Sequence, residues 1–302
     1  MPAITGTNLA NAIVKLVASE AMAPLLGELV MGNLVNRSYE PLLATQGDTA
    51  NVPIPGTMTA NVMGFDAGTV TKQNPNLGNG QIVLNRHIEA TFSIPDVYQA
   101  IAFPGVMAAY MGPALNALAT KVETDLLAVY AGFTSNTAIG TAAVPITEAL
   151  VDQAESVMFN ALVPASQPRY MIVDSGNYGA IRSIPRFSEA QTAAEAGVSA
   201  LIAGKIGILK GINIFRSQMI TVTGGTNNHC IAFHKDAIGM IMRRLPQPLP
   251  GTGAIAEYGE LGNFGYRVVL SYEPGTLAQT FTVDMLYGVA VLRNAFGLHI
   301  NA

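Results

Sequence analysis

The sequence feature that most constrains the fold is a pair of segments in which apolar and polar residues alternate. In the first segment the even positions are apolar or small, namely Val52, Ile54, Gly56, Met58, Ala60 and Val62. After a stretch rich in Gly, Asn and Pro, a second segment places Ile82, Leu84, Ile88, Ala90, Phe92 and Ile94 on one face. Only Arg86 breaks this second pattern. A period of two residues over such lengths predicts two strands, each with one apolar face.

The predicted strands are unusually long. Each would have about 12 to 14 residues, so the hairpin would extend roughly 40 Å. Because a two-stranded ribbon is only marginally stable in water, we expect its apolar face to lie on another surface, including that of a neighbouring chain. Pro53 and Pro55 lack backbone donors on the same side of the strand, which predicts that this side is the outer edge.

The second constraint is a low density of charge. The 302 residues include 16 basic and 20 acidic side chains, which is 12% of the chain, against roughly 25% in ordinary soluble domains. A compact monomer of this size exposes about 12,000 Å², which leaves about one charge per 340 Å² and near half the usual density. The centres of protein interfaces are depleted in charge, so burial against other chains explains this composition.

A membrane is the alternative explanation, and the sequence argues against it. Residues 97–120 carry no charge and could span a bilayer, but they contain Pro104 and Pro113 and their apolar content is largely Ala. We see no signal peptide at the N-terminus. A net charge of −4 without a Lys/Arg cluster argues against binding nucleic acid through its phosphates. The single cysteine, Cys230, excludes an internal disulfide framework and fits assembly in a reducing cytoplasm.

Helical and extended patterns divide the rest of the chain. We predict a first helix from Asn8, a long helix from about Asp96 that is interrupted near Pro104 and Pro113, and a helix capped by Thr147. The apolar stripe of the long helix comprises Leu115, Leu118, Val122, Leu126 and Val129. The later elements are a strand at 170–173, a short helix from Ser175, a small-residue stretch at 188–204, hairpin-like runs near 206–216 and 229–242, a Pro/Gly-rich segment at 245–265, and strands at 266–272 and 281–291.

Several residue groups that could carry chemistry have simpler structural explanations. His229, Cys230 and His234 have no fourth metal ligand nearby and fit a strand with polar ends. Asp174-Ser175-Gly176 lacks the first glycine of a nucleophile elbow, and Ser175 fits a helix cap. Gly251-Thr252-Gly253 with Ala256 matches a dinucleotide-binding motif but follows a Pro-rich segment instead of a parallel strand. Glu148, Asp152 and Glu155 have the spacing of a solvated helix face. We therefore predict that the protein is not an enzyme and has no catalytic, metal-binding or cofactor-binding residues and no cofactor.

The order of elements resembles a known family. The connector Asn36-Arg37-Ser38-Tyr39-Glu40 leads to Gly47-Asp48-Thr49-Ala50-Asn51-Val52-Pro53-Ile54-Pro55, and the second alternating segment ends in Thr91-Phe92-Ser93-Ile94-Pro95-Asp96 before the long helix. Residues 204–217 follow the pattern G-x-I-G-x-x-x-G-x-x-I-x-x-S. Over nearly the whole chain this order resembles the major capsid (coat) proteins of tailed bacteriophages with the Hong-Kong-97-type fold, particularly those of short-tailed phages.

The resemblance implies an α+β fold in five parts. These are an N-terminal arm (1–45), an extended loop formed by a long β-hairpin (46–95), a spine helix and peripheral domain (96–134), an axial domain (135–256), and C-terminal strands that complete the peripheral domain (257–302). It also implies that hexamers and pentamers of the chain tile an icosahedral virion shell around double-stranded DNA, which they contact without sequence specificity. The extended loop would lie over a neighbouring subunit. In some members an arm lysine is cross-linked to a neighbour's asparagine, although Lys72 also fits a solvated loop residue.

The expected partners are further copies of the chain, a separate scaffolding protein and a portal, with no membrane. No large inserted surface domain and no long scaffolding segment before the arm are apparent in the sequence. We expect assembly in the host cytoplasm. Two alternatives stay open: an encapsulin-like cellular nanocompartment shell that carries an enzyme as cargo, and a soluble enzyme. Neighbouring portal and tail genes would favour the phage shell, whereas a deep pocket with convergent polar groups would favour the enzyme.

Overall fold

The computed structural model describes residues 30–43, 47–54, 56, 58–63, 65, 68–75, 78–164, 168–184, 207–249, 251–261 and 264–302. The helix predicted from Asn8 and the small-residue stretch at 188–204 lie outside these residues. The helices are α1 (Met31–Leu34), α2 (Asp96–Leu127), α3 (Glu148–Asn160) and α4 (Ser175–Arg182). Short 3-10 helices occupy Glu40–Leu43, Ala128–Gly132, Lys235–Ala237 and Asn294–Phe296.

The strands are β1 (Thr49–Ile54), β2 (Gly78–Val83), β3 (Arg86–Pro95), β4 (Ile139–Gly140), β5 (Arg169–Val173), β6 (Ile208–Leu209), β7 (Ile212–Arg216), β8 (Val222–Thr223), β9 (Asn227–His234), β10 (Ile238–Arg243), β11 (Ile255–Leu261), β12 (Phe264–Glu273), β13 (Ala278–Val291) and β14 (Gly297–Asn301). A five-stranded sheet has the order β10-β13-β12-β11, with β3 also paired to β13. A seven-stranded sheet has the order β4-β14-β9-β5-β7-β6, with β8 also paired to β9. The strands β1 and β2 form a separate two-stranded ribbon.

The alternating segments have the predicted faces but not the predicted strands. Ala50 and Val52 in β1 and Ile82 in β2 are buried, and β3 alternates between exposed and covered side chains as expected. The prediction of strands about 12 to 14 residues long was wrong, because β1 and β2 have six residues each and pair only with each other. The second segment divides at residues 84–85, and β3 then pairs with β13 over ten positions. This longer edge belongs to a larger sheet and draws β3 away from the hairpin.

The outer-edge prediction for Pro53 is confirmed. Leu84 N donates to Asp48 O at 2.7 Å, which fixes the phase of the antiparallel ladder, so Ala50–Ile82 and Val52–Gly80 are the hydrogen-bonded pairs. Pro53, which follows Val52, is at a non-hydrogen-bonded position and directs its missing donor away from β2. Pro55 lies outside the described residues.

The long helix is continuous, so the predicted interruptions near Pro104 and Pro113 were wrong. It has 32 residues, and the buried stripe includes Leu115, Leu118, Val122 and Leu126 as predicted. An interior proline costs about 3 kcal/mol in a helix, but burial of each large apolar side chain contributes about 1.5–3 kcal/mol. The exposed Pro113 lies beside the stripe, and packing of the stripe outweighs its cost.

Three smaller predictions also need correction. Asp174, not Ser175, caps α4, since its carboxylate accepts from Gly176 N at 2.9 Å and Asn177 N at 3.3 Å. The run near 229–242 is not a hairpin, because β9 and β10 belong to different sheets. The Pro/Gly-rich segment at 245–265 contains a regular strand, β11. The cap at Thr147 is confirmed, with its hydroxyl accepting from Leu150 N at 3.4 Å.

The main hydrophobic core joins α2 to both large sheets. It includes Leu118 and Val122 from the helix, Tyr287 from the five-stranded sheet and Phe233 from the seven-stranded sheet. A second, smaller core supports the ribbon and comprises Ala50, Val52, Ile82, Ile241 and Leu292. The strand β10 (238–243) falls within the predicted segment 135–256 but pairs in the five-stranded sheet with β13 of the segment 257–302. The strand β14 (297–301) falls within the segment 257–302 but pairs in the seven-stranded sheet with β4 and β9 of the segment 135–256.

Candidate assembly surface

The loop between β1 and β2 carries a series of exposed apolar side chains. From here on, the extended loop means only the described residues between positions 56 and 75, which are part of the longer predicted segment 46–95. None of them has regular secondary structure. The exposed side chains are Met58 (64%), Val62 (101%), Met63 (56%), Phe65 (105%) and Val70 (71%). Exposed apolar groups gathered on one segment mark an interaction surface more often than scattered ones do. This loop is therefore the strongest candidate for contact with another molecule.

A pair of hydrogen bonds joins the two arms of the extended loop. Thr59 N donates to Gln73 Oε1 at 2.9 Å, and Gln73 Nε2 donates to Thr59 O at 2.5 Å. The amide side chain therefore replaces one step of a backbone ladder. The loop beyond this clasp spans residues 60–72.

The root of the loop is fixed to the body of the protein. Residue Gly288 of β13 lies directly beneath β2, and a Cβ atom on it would stand 2.1 Å from Val83 O. Only a glycine permits this approach of two backbones. The ribbon therefore projects from a rigid base, while the apolar side chains of the extended loop face solvent.

Further exposed apolar groups lie on the helices. Val97 and Tyr98 are 68% and 62% exposed on the first turn of α2, and Tyr110 is 55% exposed further along it. Phe159 at the end of α3 and Leu162 just after it are 67% and 85% exposed. Together with the extended loop, these positions give the low-charge chain several separate apolar contact points.

Arg86, the residue that breaks the alternation, faces the spine helix α2. Its guanidinium lies 2.7 Å from Asp125 Oδ2, and Asp125 also accepts from Lys121 Nζ at 2.9 Å and Tyr287 Oη at 2.8 Å. Burial opposes ionisation of Asp125, but the bonds from Lys121 and Tyr287 and the charge of Arg86 outweigh it, so its pKa lies below the usual value. The exception in the pattern is thus a polar link between β3, α2 and β13.

A second acid on the spine helix, Glu123, is 1% exposed. Its two carboxylate oxygens accept from Met31 N at 3.2 and 3.0 Å, and Ser217 Oγ lies 3.3 Å from Oε1. Burial raises the pKa of Glu123 to about 7, although these hydrogen bonds act in the opposite direction. Sequence reasoning missed this residue. Its burial could have been predicted from its position on the helix, because residue 123 lies four residues after Ala119 and three before Leu126 and therefore on the buried side.

Two histidines form a direct pair in the seven-stranded sheet. His229 Nδ1 lies 2.7 Å from His299 Nε2, and His229 Nε2 lies 2.7 Å from Thr223 Oγ1. The Tyr130 ring stacks on His229 at 4.2 Å between centroids. Burial lowers the pKa of both histidines, and for His299 the neighbouring His229 contributes in the same direction. This pair was also not predicted, because β9 and β14 are distant in sequence.

Of the other candidate residues, the structure brings Cys230 and Asp174 into contact, with Cys230 Sγ 3.8 Å from Asp174 Oδ1, but this contact does not form a reactive site. His234 and Cys230 are buried in β9, and burial raises the pKa of Cys230 to about 12, which disfavours the thiolate. Within the described part of the chain, no group of three or more His, Cys, Asp and Glu residues could hold a metal ion. The Gly251-Thr252-Gly253 turn leads into β11 and not into a helix, as a pyrophosphate site would require.

The acidic face of α3 is engaged by cations of the same chain. Lys210 Nζ lies 3.3 Å from Glu148 Oε1 and also bonds to Asp152, and Arg169 lies 3.5 Å from Glu155. The expectation of a solvated face therefore holds, with added ion pairs. Lys72 is exposed on the extended loop.

An open groove of about 310 Å³ is lined by Arg37, Glu40, Met242, Arg243, Arg244, Glu260 and Gly265. Its basic side chains already have partners: Arg37 pairs with Glu40, Arg244 pairs with Glu260, and Arg243 donates to Gly47 O at 3.0 Å. The groove therefore does not present convergent free groups to a substrate. Across the described ranges, no helix has both the length and the apolar content needed to cross a membrane.

Comparison with known proteins identifies a family and a fold. The sequence matches the profile of the family described as phage capsid protein over residues 90–298, which is more than half of the chain. No curated protein matches the sequence.

Solved structures give the fold. The chain is similar to a protein of Mycobacterium phage Che8, with 17% identity, coverage of 90% of this chain and 91% of that one, and a TM-score of 0.66. It is also similar to the capsid of Cyanophage P-SCSP1u, with 18% identity, coverage of 90% and 87%, and a TM-score of 0.59. A virus-like particle from Pyrococcus furiosus has 11% identity, coverage of 95% and 99%, and a TM-score of 0.54. These likenesses confirm the predicted α+β fold of the Hong-Kong-97 type.

Proposed function

We propose that this chain, which belongs to the phage capsid protein family, is the major subunit of an icosahedral shell that encloses the double-stranded DNA of a tailed phage. The observation that carries the proposal is the extended loop, whose Val62 and Phe65 side chains are fully exposed. Burying one such side chain contributes about 1.5–3 kcal/mol. If a neighbouring subunit covers the loop, this burial stabilises the contact between the two subunits. The same contact is repeated around a closed shell, because every copy has the same surface.

The proposed mechanism is assembly and not catalysis. In it, residues 1–45 form the N-terminal arm, 46–95 the extended loop region, 96–134 the spine helix with the start of the peripheral domain, 135–256 the axial domain, and 257–302 the strands that complete the peripheral domain. The membership of β10 in the five-stranded sheet and β14 in the seven-stranded sheet ties these segments together. Each subunit would thus present one rigid body and one projecting loop to its neighbours in hexamers and pentamers.

The proposal includes partners that match this role. The shell would assemble in the host cytoplasm with a separate scaffolding protein and a portal, and without a membrane. The net charge of −4 supports contact with packaged DNA that is neither strong nor sequence-specific, because phosphate binding requires clustered positive charge.

Shortening the extended loop tests the proposal. Residues 60–72 are removed and Thr59 is joined to Gln73 through two glycines, so that β1, β2 and β3 are retained. We expect a folded protein by circular dichroism, because the ribbon has its own core of Val52, Ile82 and Leu292. Negative-stain electron microscopy should show closed shells for the unmodified chain and none for the shortened one.

A variant with Val62→Ser and Phe65→Ser separates loop length from apolar contact, and it should raise the protein concentration needed for assembly at least tenfold. The matched control is Asn61→Ser, which changes an exposed polar residue of the same loop and should leave assembly unchanged. Shells formed by the shortened chain would contradict the role of the loop. An unmodified chain that stays monomeric at high concentration would contradict the proposed function itself.

A nanocompartment shell is the second candidate. It is supported by the likeness to the virus-like particle from Pyrococcus furiosus, which covers 95% of this chain. The contents of purified particles distinguish the two candidates. Nuclease-protected double-stranded DNA supports the phage shell, whereas a single co-purifying enzyme, identified by mass spectrometry, supports the compartment.

A further inference from the structure

The carboxyl group of Glu123 lies where three parts of the molecule meet. Glu123 belongs to the spine helix α2, Met31 begins α1 at the point where the chain leaves residues 1–29, and Ser217 follows β7 of the seven-stranded sheet. Both carboxylate oxygens accept from the Met31 amide, and Ser217 Oγ lies 3.3 Å from Oε1. Glu123 thus satisfies one of the first backbone donors of α1, which its own residues leave without a side-chain cap.

The surroundings of Glu123 supply hydrogen bonds but no compensating charge. The residues of α1 are Met31, Gly32, Asn33 and Leu34, which carry no titratable group. On α2, the nearest charges are Lys121 and Asp125, which bond to each other at 2.9 Å. Beside Ser217, the guanidinium of Arg216 lies over the Tyr178 ring, with its carbon 5.9 Å from the ring centroid. Among the described residues, no charged group influences the pKa of Glu123, so within this part of the protein its ionised form is buried without a counter-ion.

We propose that Glu123 is a proton-controlled latch, which holds residues 30–34 against the spine helix when it is neutral and loosens them when it is ionised. In the neutral form, one carboxyl oxygen accepts from Met31 N while the other donates its proton to Ser217 Oγ, so all three parts remain joined. On ionisation the bond to Ser217 reverses, with the Ser217 hydroxyl donating to the carboxylate, but a buried charge is left, which exposure to water would stabilise.

The direction of the pH effect follows from linkage. The pKa of Glu123 is raised from 4.5 to about 7 in the folded protein. Between these values the folded state binds a proton that the opened state releases, so closure is favoured at low pH and weakened as the pH rises through 7. The latch therefore opens on alkalinisation, in contrast to the acid sensitivity that a salt-bridged carboxylate would show.

Amide hydrogen exchange of the full chain, followed by mass spectrometry, tests the latch. After correction for the intrinsic exchange rate, protection of residues 30–35 should fall about tenfold between pH 6 and pH 8. Glu123→Gln keeps the shape of the neutral side chain and should remove this pH dependence. Glu273→Gln, at the exposed end of β12, is the matched control and should retain it.

A carbon-13 titration of the carboxyl group in the unmodified chain gives a second readout that needs no variant. A midpoint near 7 is expected, and a midpoint below 5 would overturn the latch. Equal pH dependence in the Glu123→Gln and unmodified chains would also overturn it. Because both readouts follow the subunit itself, a failure of shell formation would leave their result intact and would count only against the proposed function.

Discussion

At the scale of the residue, the His229–His299 pair is a feature that acid should disturb. His229 Nδ1 and His299 Nε2 lie 2.7 Å apart and share one N–H between them, so one of these two nitrogens must remain unprotonated. Their pKa values lie below the usual 6.5, first because of burial, so the folded protein favours the neutral form of both rings at pH 7. An unfolded chain binds protons at histidine below about pH 6.5, so stability contributed by the pair is present above that pH and is lost as the pH falls.

The pair predicts a measurable pH dependence of unfolding. Between pH 7 and pH 5.5, the free energy of unfolding should fall, by at most about 1 kcal/mol for each histidine of the pair. His299→Gln removes one titrating ring and leaves an amide that can still bond to His229, so the fall should be smaller. Chemical denaturation at the two pH values measures the difference. An identical fall in the His299→Gln chain would show that the pair does not determine the acid response.

The sequence pattern predicted which side chains are buried, but it did not predict polar contacts between residues that are distant in the chain. The alternation correctly gave Ile88, Phe92 and Ile94 one common face. It marked Arg86 only as an exception, because Asp125, which pairs with it at 2.7 Å, is fixed by the packing of α2 on β3. Glu123 could have been found from helical phase, but its partner Met31 could not.

At the scale of the element, the crossing of β2 over β13 explains why the long hairpin does not form. Val83 O lies only 2.1 Å from the position that a Cβ atom on Gly288 would occupy, and β2 ends at Val83, where it passes over β13. The chain then continues as β3 along the edge of β13, from Tyr287 to Ala278. Local alternation cannot distinguish a strand that pairs with its hairpin partner from one that pairs with residues about 190 positions away, since both bury one face.

Because β2 crosses β13 so closely at Gly288, replacing this glycine even with alanine should destabilise the protein. Gly288→Ala places a methyl group 2.1 Å from a backbone oxygen, so the ribbon must move away from β13. We expect destabilisation of about 1–3 kcal/mol and a loss of protection in β2 amides. Thermal unfolding and amide exchange measure the two effects.

Gly112→Ala is the matched control. A Cβ atom on Gly112 meets no other atom within 4 Å, and alanine favours a helix interior over glycine by about 0.5–1 kcal/mol. This variant should be as stable as the unmodified chain or more so. Equal stability losses in both variants would argue against a specific crossing at Gly288.

At the scale of the whole molecule, the order of the elements carried the predicted fold, and the long helix was the most regular of these elements. The stripe from Leu115 to Leu126 was recognised because a single helix repeats its pattern over several turns. The division of strands between two sheets was not predictable in the same way. The connection from β9 to β10 contains only Lys235–Ala237, and such a short connection is typical of a hairpin. The two strands belong to different sheets because β9 pairs with β14, whereas β10 pairs with β13.

The low charge of the molecule also predicts how a shell should respond to salt. With 12% charged residues and exposed apolar groups such as Val62 and Phe65, subunit contacts should depend mainly on apolar burial. At 1 M NaCl the screening length is about 3 Å, so contacts built on exposed ion pairs would weaken strongly, whereas apolar contacts would persist.

We therefore expect shells to sediment unchanged in 0.05 M and 1 M NaCl. Sulfate is excluded from protein surfaces and strengthens apolar burial, so ammonium sulfate should lower the subunit concentration at which light scattering first detects assembly. Warming within the stable range should act in the same direction, because apolar association weakens on cooling. Dissociation of shells in 1 M NaCl would instead assign the contacts to ion pairs. In that case the few charged residues, and not the extended loop, would determine assembly.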